Sequence, residues 1–257
     1  MLAPPTIVQQ TQYRLAQHYL KKLQHASTAM TQPGTGSRSH WMHTIQQDWP
    51  QIKQWREWSA AAQAAEIDRA RLCIDFCVTT SAATTTQQTT EETIVTLRTG
   101  LQVAQQLNDS SAEGEILYML GLNHLRLQQL EEARTYADSL MICGARQEDR
   151  RMLGRAWYLR ACVSHSCGDF GEAKTQYGHS QEMLEAGDPQ DMVAVWAGFG
   201  HVAYFQGDYQ ACLEYHNKSM ELARLLDDEP NVAVAHLSLA GVCLQLKDLS
   251  QIGRAHV

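Results

Sequence analysis

A chain of 257 residues with 44% hydrophobic content can bury a substantial core, and six prolines beside abundant Ala, Leu and Gln favour helix over strand. The formal net charge of −7, from 21 basic and 28 acidic residues, argues against a phosphate backbone as partner, so no nucleic acid is expected. Seven cysteines without CxxC spacing read as reduced thiols of a cytoplasmic protein; MLAPPTIVQQ lacks a secretory pattern, and no apolar run approaches the roughly 18 residues of a membrane span, so no membrane is expected either.

In chain order, residues 6–30 carry helical periodicity, TQPGTGSRS is a linker and HWMHTIQQDWPQIKQWREWSAAAQ resumes helix. Residues 1–59 are therefore an N-terminal helical linker segment. Its charge differs from the rest: residues 1–60 hold six basic and two acidic side chains, the remainder 15 and 26. Trp41, Trp49, Trp55 and Trp58 are expected to form a hydrophobic stripe that packs the segment onto the first repeat, rather than a ligand-stacking patch. His40 and His43 have His-x-x-His spacing without a supporting Glu or Cys pair, and Cys73 and Cys77 lie one helical turn apart in a core stripe. Neither pair is expected to hold a metal, and no cofactor is anticipated.

Residues 60–109 are a degenerate first repeat, with AAEIDRARLCIDFCV and ETIVTLRTGLQVAQQL as helices and the Thr-rich TTSAATTTQQTTEE as a loose loop between them. From there the turns QQLEEA (128–133), GDFGEA (168–173), GDYQAC (207–212) and KDLSQI (247–252) recur at spacings of 40, 39 and 40 residues. An apolar helix precedes each turn, and a second helix follows each of the first three. Repeats are thus expected at 110–150, 151–189 and 190–229, with a truncated one at 230–251. Small residues at Gly121, Ala161, Gly200 and Ala240, answered by Ala133, Ala173 and Cys212, let paired helices approach closely, while Gly168-Asp169 and Gly207-Asp208 read as a helix stop followed by an N-cap. The expected fold is all-α, a right-handed superhelical solenoid of antiparallel helix hairpins with a groove along it.

This pattern resembles the tetratricopeptide repeat, with Leu117, Leu120, Gly121 and Trp157 through Ala161 in its first-helix positions and Ala133 or Ala173 in its second, at a spacing longer than the usual 34 or so residues. The lengthened repeats, with linkers such as LNDSSAEG and LDDEPNVA, are similar to those of large bacterial signalling regulators, where they follow an NTPase module. The order RLAQHYLKKL, DWPQIKQWREWSA, RARLCIDFC also resembles the bridge between switch module and repeats in STAND-type regulators. That resemblance implies that Met1 is not the natural beginning. At the other end IGRAHV (252–257) matches one reading frame of a widely used sequencing-library adaptor, so the native chain is expected to diverge after about Ser250.

The chain contains no G-x-x-x-x-G-K-[ST], no G-x-G-x-x-G after a strand and no G-x-S-x-G elbow, so it is not expected to be an enzyme. The carboxylate pairs Glu91/Glu92, Glu131/Glu132 and Asp227/Asp228 fall at turns or helix starts, where they complement the helix dipole. The remaining candidate is the groove. Counting from the small anchors places Glu115, Tyr118, Arg126, Arg155, Tyr158, His165, His201 and Tyr204 near it. Such a surface suits a protein or peptide partner through aromatic anchors and charge-assisted hydrogen bonds. Leu122, Cys162 and His201 stand where chaperone-tail binders of this family present Asn, which disfavours that partner. The expected function is an interaction or sensor scaffold within a bacterial signal-transduction regulator; the alternative is a receptor for a small ligand or peptide pheromone with a pocket inside the superhelix. Val234, Leu237, Leu239, Val242 and Leu244 lack a following helix, so self-association through residues 231–250 is also expected.

Overall fold

The computed structural model describes residues 6–31, 38–62, 66–82, 87–184 and 189–255, and among them every regular element is an α-helix. The helices are α1 (Ile7–Thr31), α2 (Arg38–Ala60), α3 (Ile67–Ala82), α4 (Thr90–Gln106), α5 (Ser110–Arg126), α6 (Leu130–Gln147), α7 (Arg150–Ser166), α8 (Phe170–Leu184), α9 (Pro189–Phe205), α10 (Tyr209–Leu225) and α11 (Glu229–Ala255).

One local device punctuates this order. A residue with positive φ ends a helix, and the next residue begins another. Asn108, Gln128, Glu148 and Gly168 (φ 54, 57, 54 and 82°) recur every 20 residues, and Gly207 and Asp227 (77 and 54°) stand 20 apart. In five of these turns the following Asp closes the preceding helix through its backbone N–H: Asp109 to the carbonyl of Ala104, Asp149 to Gly144, Asp169 to Ser164, Asp208 to Ala203 and Asp228 to Ala223, all at 2.9–3.0 Å. The same Asp opens the next helix by accepting from the backbone N–H three residues on, as Asp208 Oδ1 does from Ala211 at 3.0 Å. The Gly-Asp turns expected at 168–169 and 207–208 are present.

Two local expectations are corrected. The Thr-rich stretch is helical at both ends: Thr79–Ala82 close α3, and Thr89 caps α4 in a reciprocal box with Glu92, its Oγ1 accepting from Glu92 N at 3.2 Å while Glu92 Oε2 accepts from Thr89 N at 3.0 Å. Residues 83–86 lie outside the described residues. The turn expected at KDLSQI does not form, because α11 runs unbroken through it to Ala255. Lys247 has neither Gly nor the left-handed backbone that stops the earlier helices.

Residues 1–127 and 128–257 form two compact units. The span 110–150, read as one repeat, is shared between them. In the first, α1 packs on α2 and α3, α3 on α4, and α4 on α5. Leu20, Leu23, Ile45, Ile52, Trp55, Leu72 and Phe76 form its core, with Trp41, Trp49 and Trp58 packed against it. The tryptophan stripe is thus mainly structural. Arg69 lies over the Trp58 ring at 4.3 Å and donates from Nε to the Trp58 carbonyl at 2.8 Å, tying α3 to the end of α2. In the second unit each helix packs on the next from α6 to α11, and α9 also touches α7 and α11. The anchor at Gly200 is explained there, since a Cβ on it would stand 2.7 Å from Nε2 of buried His216; Gly154, which the anchor pattern did not include, makes a similar approach, its added Cβ meeting Leu184 Cγ at 2.5 Å. Ser180 and Ser219 donate to the carbonyls of Gly154 and Val193 at 2.8 and 2.9 Å, the same contact one repeat apart. Ala161 is fully buried, but Ala240, the fourth anchor, is exposed.

Candidate partner-binding face

The eight residues singled out by helical register fall in both units. Glu115, Tyr118 and Arg126 lie on α5 in the first, the former two half-buried and Arg126 exposed with Nη1 3.5 Å from Asn123 Oδ1. The other five lie on α7 and α9 in the second.

Of these five, Arg155 is the exception. It is 9% exposed, and its Nε donates to Asp191 Oδ2 at 2.8 Å; Arg151 Nε reaches the same oxygen at 3.0 Å. Its charge is therefore engaged in a buried pair joining α7 to α9, a structural role that sequence register alone did not separate from a surface one. Tyr158 is half-buried, its ring 5.9 Å from that of Tyr177, in the cluster built around Tyr177, Val195 and Phe199.

His165, His201 and Tyr204 do come together, with companions the sequence reading missed. His165 on α7 sits 6.2 Å from His201 on α9, and His201 sits 5.2 Å from His216 on α10. His165 also packs edge-on against Phe170 and Phe205, at 5.6 and 5.4 Å, while those two rings stack at 5.2 Å with only 6° between their planes. Tyr204 lies 5.6 Å from Phe205 and 5.8 Å from Tyr209. Phe205 is 59% exposed, so the assembly presents an ordered aromatic ledge to solvent at the turn end of the helices.

Its electrostatics are those of neutral imidazoles. Burial pushes the His165 pKa down; burial and then the neighbouring His165 lower that of His201. His216, 2% exposed, is lowered to about 4 by burial and by His201. His165 Nε2 and His216 Nδ1 are buried without a hydrogen-bond partner, so neither presents its polarity to solvent.

Elsewhere, an open cleft of about 380 Å³ in the first unit is lined by Trp49, Lys53 and Arg56 of α2 and by Gln88, Glu91 and Glu92. Among the described residues no three His, Cys, Asp or Glu side chains converge as metal ligands, and no helix is long and apolar enough to cross a membrane. His43 Nε2 lies 2.8 Å from the Gln47 side-chain amide, and Cys73 and Cys77 are buried free thiols. A Cys77 hydrogen bond lowers the Cys73 pKa, whereas that bond and burial hold Cys77 well up.

Residues 191–252, covering nearly all of α9, all of α10 and most of α11, match the tetratricopeptide repeat family. Over 83 residues the chain is 34% identical to Tetratricopeptide repeat protein 29 of Macaca fascicularis, which is 32% of this chain and 18% of that protein. The chain thus spans less than a fifth of that relative's length.

Proposed function

We propose that this chain is a protein-interaction scaffold that recognises a peptide or protein through the aromatic ledge of its second unit. Tetratricopeptide repeats in general mediate protein–protein contacts and are generally non-enzymatic, and the match over 191–252 overlaps the helices that build most of the ledge. The observation that carries the reading is Phe205: a large aromatic, 59% exposed, held by stacking on Phe170 and flanked by His165 and Tyr204. Ordered aromatics with nearby polar atoms are the usual anchors of peptide recognition, because a rigid ring loses little entropy on binding. Tyr158 and His201 extend the same face, and Glu115, Tyr118 and Arg126 are the corresponding candidates on α5.

The wider setting we propose is an arm of a bacterial signal-transduction regulator in the cytoplasm. Its support is the order of motifs across residues 14–77 and the seven free cysteines, five of them buried or partly covered. The test is a display library of linear peptides selected on the intact chain, followed by affinity measurement on Phe205→Ala and Tyr204→Ala. Selected peptides should lose roughly tenfold or more in affinity on each variant. Selection of no peptide, or of peptides indifferent to both changes, would remove the ledge as the binding face.

A further inference from the structure

We propose that the aromatic ledge reads an arginine side chain: the partner segment lays a guanidinium on the open part of the Phe205 ring and pairs it with the carboxylates of the adjoining turns, Asp169 and Asp208. This rests on the ledge being the binding face and gives that face its ligand chemistry. The ledge lies inside the repeat array, since α9 packs against both α7 and α11.

Phe205 offers a flat, fixed surface. Phe170 stacks on it at 5.2 Å with 6° between the planes, His165 and Tyr204 brace it at 5.4 and 5.6 Å, and 59% of the residue stays open. A planar guanidinium suits a ring held this way, because it stacks on the π face while its in-plane N–H groups remain free for acceptors. The acceptors stand at the two turns beside the rings. Asp169 directly precedes Phe170, Asp208 follows Phe205 by three residues, and both are exposed. Each gives Oδ1 to its own helix, accepting from Glu172 N at 3.2 Å and from Ala211 N at 3.0 Å, and the described residues leave each Oδ2 without a hydrogen bond.

Charge favours the same ligand. Residues 1–127 hold 10 basic and 10 acidic side chains, whereas 128–257 hold 11 and 18, so the net charge of −7 belongs wholly to the second unit. Lys174 is the only Lys or Arg between Ala161 and Asn217. Burial lowers the pKa of His165 and His201, which keeps both imidazoles neutral at pH 7 and unopposed to a cation. Lysine would satisfy the charge but not the flat ring. An aliphatic side chain would cover the ring and leave both carboxylates unpaired.

Immobilised nonapeptide pools, randomised except for a central Arg, Lys, citrulline or Leu, test this on the intact chain at low salt. Retention on the Arg pool should exceed that on the citrulline and Leu pools roughly five- to tenfold, and that on the Lys pool a few-fold. Asp169→Asn and Asp208→Asn each keep a capping side chain while removing the charge. Helix content should therefore hold while Arg-pool binding falls roughly two- to fivefold for each, and Lys174→Gln should raise it. Phe205→Ala separates the ligand from the face. Phe205-dependent retention that is equal on the Arg, citrulline and Leu pools, or that neither Asn variant moves, overturns the arginine reading and leaves the ledge as the binding face. Retention indifferent to Phe205→Ala on every pool, or no retention on any, overturns both.

Discussion

Replacing Gly200 by Ala adds one methyl group where the structure has no room for it. The new Cβ would stand 2.7, 2.8 and 2.9 Å from Nε2, Cε1 and Cδ2 of His216, well inside contact distance. His216 cannot swing clear, being 2% exposed and enclosed by α9 and α10. Overpacking of this kind costs about 1–3 kcal/mol, and the better helix propensity of Ala returns about 0.5–1 kcal/mol, so a net loss of roughly 1–2 kcal/mol is expected. Gly178, mid-helix in α8 with nothing within 4 Å of an added Cβ, is the matched control; Gly178→Ala should stabilise by about 0.5–1 kcal/mol. Urea unfolding followed by circular dichroism reads both signs. Combining Gly200→Ala with His216→Ala should cost less than the sum of the singles, because the clash is gone. A Gly200→Ala midpoint at or above wild type, or strict additivity in the double variant, would refute the close approach.

His216 offers a pH test. Its pKa falls from 6.5 to about 4 on folding, so between those values the unfolded chain binds more protons and stability declines as pH drops, by roughly 3 kcal/mol. It is fully present above 6.5. His216→Gln should flatten the urea midpoint between those limits, and an unchanged slope would show that another group titrates there. Asp191→Ala leaves the Arg155 guanidinium buried without its carboxylate and should destabilise by about 3–5 kcal/mol, a loss below 1 kcal/mol counting against the pair. Pro50 sits inside α2 on an exposed turn; Pro50→Ala restores a backbone donor and should raise stability by about 1–3 kcal/mol, readable as a higher urea midpoint.

What the sequence determined by itself is what short-range chemistry determines. Helix after helix follows from apolar periodicity, and Gly168-Asp169 and Gly207-Asp208 announce their own turns, since a left-handed residue and an N-cap act within a few positions of each other. The small anchors at Ala161 and Gly200 were legible too, as was the placing of His165, His201 and Tyr204 on first helices. At the ends of the Thr-rich stretch, composition hid the close of α3 and the capping box of Thr89 and Glu92. Tertiary structure decided the rest. Arg155 looked like a surface charge until Asp191, 36 residues away, was brought beside it. Phe170, Phe205 and His216 joined the ledge only because the start of α8, the end of α9 and the middle of α10 converge, a relation no local spacing encodes. Ala240 shows the same limit in reverse: it carries the anchor's residue type, yet burial is a property of the neighbour that packs against it, and on α11 that position faces solvent.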